Sequence, residues 1–274
     1  MPDESEAMRE ALLLRAVYTI LNRTCYMMAD MSLMEYCLLC TVREHPSGLP
    51  VKALHAELVT IGTLDFYEEQ LLSKELILRI RDAADHRALA FSVTAKGSSL
   101  VDHLDPEMAI SVLEQFPQAT EASFQQAAEL MADYAARMEP FAECTTIFPA
   151  SVLKTLNAYR VIATTETSRL SLTFLGLCIF CLCALSAGEL PVASAARHMG
   201  MPMAVFMHNL RSLEERGLVE LVHEGEAIVL TEVGQRRLRL LLGRITARFS
   251  GIIGARHAEE SYAALRSFLL YLMG

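Results

Sequence analysis

The sequence predicts a mainly α-helical protein with small β-hairpins, built as two similar units in one chain. Residues recur at an interval of 141 positions. Tyr18 falls on Tyr159, Cys37 on Cys178, Cys40 on Cys181, Leu49-Pro50-Val51 on Leu190-Pro191-Val192 and Leu72 on Leu213. Farther along the interval is 137, with Thr94 meeting Thr231 and Gly97 meeting Gly234, so the second copy is four residues shorter between Leu213 and Thr231. The composition is 53% apolar with no Trp, and its Leu, Ala and Met favour close-packed helices. Two copies of a long unit indicate a duplicated domain rather than a solenoid. A chain of 274 residues can give each copy its own core.

The elements follow in order. Apolar residues at Leu12, Leu13, Ala16, Val17, Ile20 and Leu21 have helical spacing and predict a long first helix from about Glu4 to Met28. Ser32 with Glu35 three residues on is a capping box, opening a second helix that ends near His45-Pro46-Ser47-Gly48. Val51 to Leu58 gives a third helix, Thr60 to Thr63 a turn, and Leu64 to about Lys74 a fourth helix. Ile77 to Ile80, a polar tip at Asp82 to His86, and the alternating Ala88 to Val93 form a hairpin. Thr94 caps a further helix, and new helices are expected after Asp105-Pro106 and Thr120.

The second half repeats the plan: helices over Ser151 to Ser168, Leu172 to Leu185, Val192 to Met199 and Pro202 to Arg216, a hairpin from Val219 to Leu230, and a helix from Thr231. Helix, helix, helix–turn–helix, hairpin, helix is the layout of a winged helix-turn-helix. Domains are expected at residues 1–138 and 151–274, with residues 139–150, holding Pro140 and Pro149, as the linker.

Compartment and charge narrow the function. The acidic start, Met1 to Glu10, lacks the pattern of a signal peptide. Leu170 to Gly188 is uncharged and long enough to span a bilayer. Its counterpart Ala29 to Ser47 carries Asp30, Glu35, Arg43 and Glu44, so a buried core helix is expected instead. Seven cysteines, mostly in apolar runs, read as reduced thiols of a cytoplasmic protein. Residues 1–140 hold 11 basic and 22 acidic side chains, and residues 141–274 hold 13 and 11, so attraction to a polyanion must come from local patches.

The motifs Val51-Lys-Ala-Leu-His-Ala-Glu-Leu58, Leu72-Ser-Lys-Glu-Leu-Ile-Leu-Arg79, Asp85-His86-Arg87-Ala88 and Val93-Thr94-Ala95-Lys96-Gly97 resemble the MarR transcriptional regulators. The second copy keeps Leu213-Glu-Glu-Arg-Gly217-Leu218-Val219 and Leu230-Thr231-Glu-Val-Gly234 but loses the Asp-x-Arg of the wing. The resemblance covers nearly the whole chain in two copies. It implies two fused MarR-like winged helix-turn-helix domains acting as an intramolecular pseudo-dimer. It further implies double-stranded DNA as partner, no cofactor, and a small effector between the dimer helices and the winged lobe. Half-sites one helical turn apart need two linked reading heads, and a covalent link raises the effective concentration of the second.

Base edges are read by polar side chains on the second helix of each pair. The first copy offers Thr63, Tyr67, Gln70 and Lys74, among Asp65, Glu68 and Glu69. At the 141 interval these carboxylates take positions usually apolar, whereas a one-residue shift would bury Leu64, Tyr67 and Leu71. The second copy offers His208, Asn209 and Arg211 among Met203, Ala204 and Met207, with Arg197 on the preceding helix. Arg79, Arg81, His86 and Arg87 form a basic first wing suited to phosphates or the minor groove. The second wing, Val222 to Glu226, is short and acidic, and Arg236, Arg237, Arg239, Arg244 and Arg248 follow it.

Tyr18, Tyr36 and Tyr159 would lie near the effector crevice if they follow the family, but a core Tyr with a satisfied hydroxyl is the better explanation of any one of them. Cys37/Cys40 and Cys178/Cys181 have metal-ligand spacing but sit within apolar helices, so core packing is expected and no metal site is assigned. Cys25 and Cys144, nearer element ends, are the candidates for redox sensing. No phosphate loop, nucleophile elbow or His-Glu-x-x-His motif supports an enzyme. The competing reading is a MarR-like module that has lost DNA recognition and senses a ligand or pairs with another protein.

Overall fold

Helix caps set the first boundaries. The computed structural model describes residues 4–58, 64–82, 85, 87–115, 150–186, 188–199, 201–255, 259, 262–263 and 265–266. Helix α1 spans Glu4–Ala29 and stops where Asp30 takes a φ of 48°. Ser32 then caps α2 (Leu33–Arg43). Its hydroxyl accepts from the Glu35 amide at 3.2 Å, and its own amide donates to the Glu35 carboxylate at 2.6 Å, the capping box read from sequence.

Then come β1 (Leu49–Pro50), α3 (Val51–Glu57), α4 (Asp65–Ser73), β2 (Ile77–Arg81), β3 (Leu89–Val93) and α5 (Ala95–Gln115). The strands make an antiparallel sheet in the order β1-β3-β2, with Leu49 and Arg79 both opposite Phe91. A helix pair leading into a three-stranded winged sheet is a winged helix-turn-helix.

The order recurs in α6 (Ala150–Ser168), α7 (Phe174–Leu185), β4 (Leu190–Pro191), α8 (Val192–His198), α9 (Met203–Glu214), β5 (Val219–Val222), β6 (Ala227–Leu230) and α10 (Glu232–Ala255), with sheet order β4-β6-β5. Thr173 caps α7 by accepting from the Gly176 amide at 2.9 Å. The chain divides into two compact units that cut across its halves. The first winged unit joins Ala16–Ala158 to Ile252–Gly274, and the second joins Tyr159–Gly251 to Met1–Arg15.

Each unit is closed at one carbonyl. The Leu76 amide donates to the Leu71 carbonyl, ending α4, while the Leu76 carbonyl accepts from the Thr94 amide at 3.0 Å and the Thr94 hydroxyl at 3.1 Å. In the second unit Leu218 donates to Leu213 and accepts from both groups of Thr231 at 3.2 and 3.1 Å. Each threonine also caps the helix that follows, accepting from the amides of Gly97 and Gly234. A Cβ on Gly97 would lie 2.2 Å from the Leu76 oxygen, and one on Gly234 would lie 2.1 Å from that of Leu218. The Thr-x-x-Gly motif therefore joins the second helix of the pair, the hairpin and the long helix at one point.

Several sequence expectations need correction. Leu71, not Leu72, matches Leu213 at this joint, and buried Leu64, Glu68 and Leu71 correspond to buried Phe206, Leu210 and Leu213. The interval is thus 142 here, because the chain runs 21 positions from Val192 to Leu213 but 20 from Val51 to Leu71. Glu75, with φ 59°, stands where the second copy has Gly217, with φ 63°. Helix α5 also runs through Pro106 rather than restarting there. The proline removes one helical hydrogen bond, but Val101, Leu104, Met108 and Val112 form a continuous buried stripe that holds the helix together.

The paired strands β1 and β4 are two residues long, too short to show alternation in sequence. The expected helix after Thr120 and the linker up to Pro149 lie outside the described residues. Among the described residues, no helix is long and apolar enough to cross a membrane.

Gly97→Ala and Gly234→Ala should each destabilise the fold by about 2 kcal/mol or more, because the backbone must move to admit the methyl. Gly243→Ala, with nothing within 4 Å, should instead stabilise α10 by about 1 kcal/mol. Urea unfolding midpoints of the three variants would show whether the opposite signs hold.

Candidate nucleic-acid interface

Burial decides which side chains α4 can present. Leu64, Glu68 and Leu71 point inward, Asp65, Phe66 and Glu69 outward, and Tyr67 and Gln70 lie half-buried at the edge of the outward face. Thr63 lies outside the described residues. Phe66 is 63% exposed and packs edge-on against Tyr67 at 5.5 Å. Sequence reasoning missed it, because its exposure depends on the one-residue shift of the helix face.

Ion pairs sort the cations of this head. Glu69 pairs with the Arg79 guanidinium, so one acidic side chain of the reading helix is offset by one wing cation. Lys74 is held by the fold: its ammonium donates to the Asp30 carbonyl and to the buried Glu35 carboxylate at 3.1 Å. Arg81 and Arg87 are exposed, and neither guanidinium has a partner among the described residues. His86 lies outside them. Asp85 accepts from the Arg87 backbone amide at 3.0 Å, so it shapes the turn rather than aiming the guanidinium.

The second head differs in chemistry. Helix α9 buries Phe206, Leu210 and Leu213 and exposes Met203, Ala204, Val205, His208 and Arg211. Asn209 is occupied at both ends of its amide: Nδ2 donates to the Val205 carbonyl at 2.9 Å, and Oδ1 accepts from the Thr173 hydroxyl at 2.8 Å. His208, Arg211 and Arg197 are exposed. The wing is a tight turn over His223, Glu224 and Gly225, all with positive φ, and His223 pairs with Glu189 at 2.9 Å. Of the arginines on α10, Arg248 pairs with Glu166, which is buried on α6.

Two of the three candidate tyrosines lie in the core. Tyr36 is fully buried, and burial pushes its ionisation far above the usual range. Tyr159 packs edge-on against Phe174 and Phe249, at 6.5 and 5.2 Å. Tyr18 is half-buried in the first unit.

The described cysteines are all buried. The Cys37/Cys40 pair lies in the first unit and the Cys178/Cys181 pair in the second. Burial pushes the thiols of Cys25, Cys37, Cys178 and Cys183 up to about 12, and those of Cys40 and Cys181 well above 9.0. Cys25 therefore lacks the thiolate character of a redox sensor, and Cys144 lies outside the described residues.

No protein-family model matches the chain, and no curated protein does. Among solved structures it is similar to a MarR-like transcription regulator from Bacillus cereus, at 10% identity over 46% of this chain and 91% of that one, with a TM-score of 0.35. It is also similar to MarR, at 19% identity over 46% and 93%, TM-score 0.35, and to the transcriptional regulator SlyA, at 24% identity over 46% and 85%, TM-score 0.33. At these TM-scores the likeness supports no further step.

Two expectations follow from the site. Lys74→Met should destabilise the fold by about 1–3 kcal/mol, read as a lower urea midpoint, because the buried Glu35 carboxylate loses its cation and keeps only the Ser32 amide, whereas Arg81→Ala should leave the midpoint unchanged. In a Cys144→Ser background the native protein should show no fast-reacting thiol toward a disulfide reagent at pH 8, and the six buried thiols should react on denaturation. Thiols raised toward pKa 12 hold almost no thiolate at that pH, and rapid native labelling would contradict their burial.

Proposed function

We propose that the chain is a DNA-binding transcriptional regulator of the MarR type its motifs resemble, with two winged heads fused as a pseudo-dimer reading an imperfectly symmetric operator. The observation that carries this reading is the recurrence of one joint, Leu76 with Thr94 and Gly97 against Leu218 with Thr231 and Gly234, beneath both winged sheets. The make-up of the units supports the fusion: each takes in a terminal segment from the other half of the chain, as joining two intertwined subunits would produce.

Arg81 and Arg87 contact phosphate or the minor groove from the first wing, beside Tyr67 and Gln70 at the edge of α4. His208 and Arg211 on α9, with Arg197 before it, supply the second head. Lys74 and Asn209, engaged within the fold, support the reading helices instead of touching bases. An effector near Tyr18, Tyr36 and Tyr159 has only the family resemblance behind it. A second reading, a protein-interaction module without DNA recognition, draws support from the apolar outward face Met203, Ala204 and Val205 of α9.

Titration against the DNA upstream of its own gene at several salt concentrations separates the two. A reader should bind with a log–log salt slope of about −0.9 per neutralised phosphate, and joint Arg81→Ala and Arg87→Ala should reduce that slope by about 1.8. Light scattering should give a monomer of 30.4 kDa if the fused heads suffice. No binding at low salt, or a flat salt dependence, rejects the DNA reading.

A further inference from the structure

His55 on the last turn of α3 and Asp65 and Glu68 on the first turn of α4 each offer one ligand atom, and these atoms all lie within 4.8 Å of one another. Asp65 and Glu68 are three residues apart and so neighbours on the helix surface, Glu68 on the buried side and Asp65 on the open side. His55 Nε2 sits 2.6 Å from Glu68 Oε1. The Glu68 side chain is only 6% exposed, while that of His55 is 40% exposed and Asp65 is open to solvent.

Two features set this cluster apart from a surface ion pair. Glu68 occupies the core slot that Leu210 fills in the second unit, and a carboxylate in such a slot is unfavourable unless it is paired or ligates a metal. Asp65 meanwhile brings a second carboxylate for which no ion pair or hydrogen-bond acceptor role exists among the described residues. One imidazole faces two acids.

We propose that His55, Asp65 and Glu68 bind a first-row divalent transition-metal ion of the manganese-to-zinc series, with water in the open positions. Nitrogen and carboxylate ligands approach such an ion at about 2.0–2.2 Å, so the three atoms need only draw together, and His55 and Asp65 are exposed enough to move. One imidazole with two carboxylates suits these ions, since calcium and magnesium favour all-oxygen sets and copper(I) favours thiolates. The ion clips α3 to the start of α4 and so fixes the turn of the helix pair. Sequence reading assigned no metal here because the ligands straddle a turn and form no known motif.

The test titrates metal-free full-length protein carrying Cys144→Ser with Zn2+ against a chromogenic chelator, and with Mn2+ by electron paramagnetic resonance. One ion per chain is expected. Glu68→Leu, which installs the residue of the equivalent slot, Asp65→Asn and His55→Gln should each weaken binding by about tenfold or more, and His208→Gln should leave it unchanged. Asp65→Asn changes an exposed side chain, so lost binding there cannot be ascribed to misfolding, and the urea midpoint of Glu68→Leu should equal or exceed that of the parent. Failure of the parent to bind either ion, or full-strength binding by Glu68→Leu and Asp65→Asn, overturns the proposal. No DNA is present, so the result is independent of the regulatory reading.

Discussion

One backbone carbonyl per unit holds the winged architecture together. The reading helix ends, the hairpin closes and the long helix begins at Leu76 in one unit and at Leu218 in the other. The oxygen accepts two hydrogen bonds from the same threonine, and that threonine caps the next helix. Glycine is required three residues on because a side chain would enter the oxygen itself. Buried backbone groups must be satisfied, and here one residue satisfies the end of one element and the start of two others.

A parallel device anchors the reading helices to the caps of the helices behind them. In the first unit Lys74 reaches Glu35, half of the capping box of α2. In the second, Asn209 accepts from Thr173, the cap of α7. Both were sequence candidates for DNA contact, since Lys and Asn on a reading helix have the right donors. Capping residues also use such partners, and spacing along one helix does not reveal which use prevails. That takes the positions of residues 36 and 39 away in sequence.

The fold was legible where the signal was local. Ser32 and Glu35 announced a cap, Thr94 and Thr231 announced two more, and the alternation of the hairpin strands marked the wing. The candidate site was less legible, because its exposure hangs on a single residue of register. An interval of 141 set Leu72 on Leu213, but the chain carries one residue more from Val192 to Leu213 than from Val51 to Leu71, which places Leu71 there. That shift turns Phe66 outward and buries Glu68. Sparse identity locates helices well, but it cannot place a one-residue insertion where the residues of the two copies differ.

The two heads consequently present opposite electrostatic problems to a polyanion. Beyond about 8 Å, physiological salt screens charge, so the net charge of −9 matters less than what surrounds each reading helix. Helix α9 carries no carboxylate before Glu214, and His208 and Arg211 face outward. Helix α4 begins with Asp65 and Glu68 and adds Glu69, while the wing mixes Arg81 and Arg87 with Asp82 and Asp85. Glu69 is offset by the wing cation Arg79, and that exposed pair is worth about 0–1 kcal/mol, so a phosphate could displace it. A divalent ion on His55, Asp65 and Glu68 would neutralise the remaining two carboxylates of the reading helix. The unit richer in carboxylates on this helix is thus the one holding the acids that a metal would mask.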